Sequence, residues 1–151
     1  MTGLPGPPTT SATELHLRND LAALAHLHTA VEAFGRQWGL PNRVLFELNL
    51  ALDEWVTNIV AYGYDDNAVH TIVVRLRLDT NPAGSVVAIE IEDDARPFNP
   101  LEVPPPRLDV PLEDRAIGGL GIHFVRRCMD DVAYERVGGR NRLLLRKRVV
   151  G

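Results

Sequence analysis

One cysteine in 151 residues, Cys128, rules out an intrachain disulfide and suits a reducing compartment. Its neighbours Val125 and Met129 predict a buried structural thiol rather than a reactive one. Long apolar runs are missing as well, and none approaches the roughly 20 residues that a membrane-spanning helix needs. Met1 to Thr10 holds neither a basic stretch nor an apolar one, so it is not a secretory signal. These absences predict a cytoplasmic protein without a membrane partner. A strong charge of one sign is also lacking. The net charge is −4, and the basic residues are scattered apart from Arg140, Arg142, Arg146, Lys147 and Arg148. That argues against direct nucleic-acid binding.

Several catalytic signatures are absent. Ser11 and Ser85 lie in no nucleophile elbow. His26 and His28, two apart on an expected helix, do not face each other as metal ligands would. No Lys-Ser/Thr pair completes a Walker loop, and no strand precedes the glycine cluster as a Rossmann fingerprint requires. No internal repeat is visible. What remains is 45% apolar and 24% charged, the composition of one ordinary globular domain.

Residues 1–12, rich in Pro, Gly and Thr, are expected to form a disordered tail. Residues 13–18 alternate as a first strand. Over residues 20–38, Leu21, Leu24, Leu27, Val31 and Phe34 step by three and four and predict a buried helical stripe, closed by Gly39 and Pro41. A second helix is expected over 41–62, ended by Gly63 and Asp65-Asp66-Asn67. Residues 69–78 and 86–91 alternate as strands around Asn81-Pro82-Ala83-Gly84. Six prolines between Ala95 and Gly119 exclude regular structure there. A short helix should follow Gly121, and two strands, 131–137 and 141–149, should close the chain through Gly138-Gly139-Arg140. This order implies an α+β fold, with three helices on one face of a mostly antiparallel sheet.

Three segments could carry chemistry. Glu54 and Asn58 lie one turn apart on the apolar second helix, which sets a carboxylate beside an amide oxygen able to ligate a hard cation. Alone, E-x-x-x-N is also an ordinary exposed strip of an amphipathic helix. Asp93 ends a strand ahead of Asp94-Ala95-Arg96-Pro97-Phe98-Asn99-Pro100, where its carboxylate can accept from a ligand amine or cap a turn. Gly118, Gly119 and Gly121 lead into a helix, where backbone N–H groups can meet an anion, or form a hinge.

In this order and spacing, the three segments resemble the ATP-binding fold of gyrase, heat-shock chaperone, histidine kinase and MutL proteins (the Bergerat, or GHKL, fold). The chain's size is similar to that of the anti-sigma-factor serine/threonine kinases. The resemblance covers about residues 13–149 and implies a two-layer sandwich over 13–151 that binds ATP and Mg²⁺. It implies Asn58 as Mg²⁺ ligand, Glu54 as general base, Asp93 as acceptor for the adenine amine, and Ala95 and Phe98 in the base-binding turn. Gly118, Gly119 and Gly121 would meet the phosphates beneath a lid formed by residues 100–118. The implied partners are a sigma factor, an anti-sigma factor antagonist phosphorylated on Ser or Thr, and a second copy of the chain. An alternative is an ATP-binding module that sequesters partners without catalysis. The sequence departs from the family at Ala95, where relatives carry glycine. If that position needs positive φ, alanine costs about 1 kcal/mol and the turn is altered. The last hairpin reads Gly139-Arg140-Asn141-Arg142, without the threonine that many relatives place near the adenine through water.

Overall fold

Residues 11–102 and 119–149 are described in the computed structural model. In chain order they form β1 (Ser11–Arg18), α1 (Ala23–Trp38), α2 (Asn42–Tyr62), β2 (Thr71–Asn81), β3 (Gly84–Asp93), a 3-10 turn (Pro100–Glu102), α3 (Gly119–Cys128), β4 (Asp131–Val137) and β5 (Arg140–Val149). The strands make one sheet in the order β1-β2-β3-β5-β4, and every neighbouring pair is antiparallel. The expected α+β sandwich is therefore present.

Periodicity explains what each element buries. From α2, Leu48, Leu52, Trp55 and Ile59 recur at three- and four-residue steps and are all buried. They meet the sheet face made by Ile72, Val74, Ile89, Ile91, Leu143 and Leu145. From α1, Leu27, Val31 and Phe34 close the same core. Leu21 does not belong to it. It precedes α1 and is 60% exposed, whereas Ala23 is buried instead. Residues 20–23 form a tight turn, with the Ala23 N–H bonded to both the carbonyl and the carboxylate of Asp20, so Leu21 stays outside the regular helical period.

Other boundaries shift by a few residues. β1 begins at Ser11, two residues before the expected start, and β2 runs on to Asn81, whose side chain accepts from the Ala83 N–H in the turn. α3 includes Gly119 and Gly121 instead of following them, since N–H groups of a first turn lack intrahelical partners in any case. The opposite sheet face is polar and knitted by ion pairs: Arg75 reaches Glu92 at 3.1 Å, Arg140 reaches Glu92 at 2.9 Å, and Arg142 pairs with Glu90.

Two registers position the site. Gly138 (φ 59°) and Gly139 (φ 77°) supply the left-handed pair of a two-residue hairpin turn. That turn sets Val137 opposite Arg140 and so turns Tyr134, Arg136 and Asn141 toward the helix side. The β3–β5 register then sets Asn141 opposite Asp93.

Candidate functional site

Helix α2 ends over the tip of β3 and leaves a cavity of about 290 Å³ between them. Trp55, Asn58, Ile59 and Tyr62 project into it from α2, at spacings that place them on one helix face. Asp93 and Asn141 enter from the sheet, and Ala95, Arg96 and Phe98 enter from the segment after β3. The rings of Trp55 and Phe98 meet at 5.8 Å between centroids, tilted by 39°. Apolar walls with a few convergent polar groups are the usual make-up of a small-molecule site.

The polar anchor is Asp93, only 1% exposed. Its Oδ1 accepts from the Ala95 N–H at 3.0 Å and from Asn141 Nδ2 at 2.9 Å. Its buried Oδ2 has no hydrogen-bond partner among the described residues. Burial pushes the carboxyl above the usual aspartate range, against the pull of Asn141 and the Ala95 amide. A buried acceptor without a donor is costly, and a ligand N–H would satisfy it.

The turn beyond Asp93 is pinned from three sides. Arg136 donates to the Ala95 carbonyl at 2.7 Å, Asn141 donates to the Arg96 carbonyl at 2.9 Å, and the Arg96 N–H donates to the Gly63 carbonyl at 3.1 Å. No non-glycine residue among those described has positive φ, Ala95 included. The strain that alanine would bring to a left-handed position is therefore absent.

Four of the sequence-predicted residues line this cavity together: Asn58, Asp93, Ala95 and Phe98. Glu54 sits one turn earlier on α2, half-buried, off the cavity wall and with no side-chain hydrogen bond or ion pair among the described residues. Gly119 and Gly121 lie in the first turn of α3, and Gly118 lies outside the described residues with most of the expected lid. Sequence reasoning missed Tyr134, Arg136 and the role of Asn141. It also missed a cluster at the rim. The Tyr64 and His70 rings stack at 3.9 Å, Tyr64 donates to Asp94 at 2.8 Å, and His70 bridges Asp66 at 2.8 Å and Asp94 at 3.2 Å. The carboxylates of Asp66 and then Asp94 raise the His70 pKa. The adjacent acidic turn was the only local signal.

The chain matches the histidine kinase-like ATPase domain family over residues 17–147. Serine/threonine-protein kinase BtrW of Bordetella bronchiseptica is 30% identical to it over 103 residues, 68% of this chain and 70% of that protein. The anti-sigma F factor of Thermoanaerobacter sp. strain X514 is 23% identical over 143 residues, 94% of this chain and 96% of that protein. The solved RsbU and RsbW domains of a Mycobacterium tuberculosis protein share the fold, with a TM-score of 0.63 at 16% identity, over 91% of this chain and 32% of that one.

Proposed function

Since the chain belongs to the histidine kinase-like ATPase domain family, we propose that it binds ATP with Mg²⁺ and acts as an anti-sigma factor serine/threonine kinase. Its partners in this reading are a sigma factor, held in check, and an anti-sigma factor antagonist phosphorylated on Ser or Thr. The names of the relatives, a serine/threonine kinase and an anti-sigma F factor, support that assignment. A cytoplasmic setting and a homodimer belong to the same proposal.

The observation that carries the nucleotide assignment is the buried Oδ2 of Asp93, without a partner among the described residues, beside the Trp55–Phe98 wall. An adenine is flat, apolar on its faces and presents an exocyclic amine, so it fits both features at once. Ionised Asp93 accepts from that amine, and the keto oxygen of guanine offers it no donor. Asn58, whose side chain has no hydrogen-bond partner among the described residues, would hold Mg²⁺ by its amide oxygen, with phosphate oxygens and water completing the shell. When bound, Mg²⁺ neutralises charge on the phosphates. Glu54, one turn before Asn58 on α2, would take the proton from the incoming hydroxyl. Gly118, Gly119 and Gly121 would offer backbone N–H groups to the phosphates at the start of α3.

The alternative of a non-catalytic binding module drew its support from expected strain at Ala95 and from the unusual lid over residues 100–118, and the ordinary backbone at Ala95 removes the first of these. Calorimetry with ATP and GTP, with and without Mg²⁺, tests the reading. Adenine-selective, Mg²⁺-dependent binding that Asn58→Ala weakens is the expected result. Equal affinity for both nucleotides would overturn the role of Asp93.

A further inference from the structure

Asn141 is 3% exposed and its amide is fully engaged. Nδ2 donates to Asp93 Oδ1 at 2.9 Å and to the Arg96 carbonyl at 2.9 Å, and Oδ1 accepts from the Tyr134 hydroxyl. A carboxamide can occupy a site in two orientations, exchanging donor for acceptor. Here the acceptor-only groups around Nδ2 remove the second orientation. If the amide turned over, its oxygen would face a carboxylate and two carbonyls, and its NH₂ would face the hydroxyl. The carboxylate and carbonyls therefore dictate that Asn141 donates to Asp93, and Tyr134 completes the amide by donating to its oxygen.

That has a consequence for Asp93. With the Ala95 N–H and Asn141 Nδ2 both donating to Oδ1, a proton on Oδ1 would displace one of them. Oδ2 faces no such donor among the described residues. We propose that Tyr134 and Asn141 are positioning residues that fix the hydrogen-bonding polarity of Asp93. They leave Oδ2 as the one oxygen that accepts from a purine amine or takes up a proton. Ionised, that oxygen selects a 6-amino purine; protonated, it donates and selects a 6-keto purine. The relay thus makes base selectivity depend on pH. The inference rests on the nucleotide reading above.

Other charged groups near Asp93 set where the change occurs but not which oxygen titrates. Asp94, next in the chain, favours protonation, and Arg136 on β4 opposes it. Tyr64, in the segment after α2, stays neutral because burial and Asp94 hold its hydroxyl well above the ordinary tyrosine range. From α2 only Tyr62 brings a titratable group to the cavity.

The test compares ATP with inosine triphosphate, which differs only by a keto oxygen in place of the amine and the accompanying ring proton. Both are titrated by calorimetry between pH 5 and 9 into wild type, Asn141→Leu and Tyr134→Phe. In wild type, ATP affinity should fall and inosine triphosphate affinity should rise as acid protonates Oδ2. In Asn141→Leu, loss of one donor should move this crossover to higher pH and cut the ATP preference at pH 7.5 by about tenfold. Tyr134→Phe should do the same by about threefold, and it keeps the test decisive if Asn141→Leu does not fold. A variant that weakens both nucleotides by one factor and leaves the crossover in place would overturn the proposal and leave Asn141 purely structural. Wild type that binds neither nucleotide would overturn the nucleotide reading itself, and this inference with it.

Discussion

A Cβ placed on Gly63 would lie 2.8 Å from the Cβ of Ala95 and 2.5 Å from the Ile59 carbonyl oxygen. The Ala95 methyl thus fills the space that a side chain at Gly63 would need. A bare backbone at the end of α2 and a methyl-bearing backbone after β3 are complementary, and the Arg96 N–H bond to the Gly63 carbonyl joins them.

This pairing reverses the effect expected for restoring glycine at position 95. Because Ala95 has no positive φ, Ala95→Gly should lower stability by about 1 kcal/mol, through lost packing and a floppier unfolded chain. Gly63→Ala should cost about 1–3 kcal/mol by overpacking, and less when combined with Ala95→Gly, since one of its two clashes is then gone. Urea unfolding of the three variants measures this. A rise in the midpoint for Ala95→Gly would mean that the alanine is strained after all.

How much of this was legible in the chain follows from how local each determinant is. The α2 face and the Asp93 turn are written in contiguous residues, so Asn58, Asp93, Ala95 and Phe98 could be named and do come together. The pairing of Asn141 with Asp93 joins strands 48 residues apart, and its register comes from the whole sheet. No short-range pattern encodes it. The Gly138-Gly139 turn could have given the β4–β5 register, and with it the facing of Tyr134 and Arg136, but not what they meet. Leu21 misled because it lies in the tight turn between Asp20 and Ala23, ahead of the regular helix, where helical spacing no longer sets what is buried.

Glu54 and Asn58 should separate by assay. In the proposed roles, Glu54→Gln should slow phosphoryl transfer to an antagonist at least about 100-fold, while the ATP dissociation constant changes by less than about twofold, because Glu54 lies off the cavity wall. Asn58→Ala should weaken Mg²⁺-dependent binding itself. Labelled-phosphate transfer read beside calorimetry distinguishes them, and undiminished transfer by Glu54→Gln would remove that residue from catalysis.

The rim cluster gives the protein a pH dependence near neutrality. Asp66 and Asp94 raise the folded His70 pKa above its ordinary value of 6.5. A raised histidine value means the folded state binds the proton more tightly. The stabilisation is therefore complete below about 6.5 and is lost as pH rises through the higher folded value. His70→Gln should flatten the stability profile across that window. Thermal unfolding between pH 5.5 and 8.5 checks it, and a wild-type profile that gains stability over the same rise would contradict the assignment.

Lys147 ties the end of α3 to α2, donating to the Cys128 carbonyl at 2.7 Å and pairing with Glu47. Both side chains of the pair are largely buried, at 15% and 18% exposure, so removing Lys147 leaves Glu47 with only the exposed Arg43, at 3.3 Å. Lys147→Met should cost about 1–3 kcal/mol at neutral pH. Lys147 is also the main cause that holds Glu47 below its ordinary value of 4.5, ahead of Arg43. A depressed carboxyl contributes stability above that value and loses it as pH falls through the folded one. In the variant, Glu47 escapes its penalty by taking up a proton. The gap between wild type and Lys147→Met should therefore be widest near pH 7 and close toward pH 4. Urea midpoints at both pH values measure the gap, and one that stays constant would show that Lys147 acts through its packed stem and its carbonyl bond rather than through Glu47.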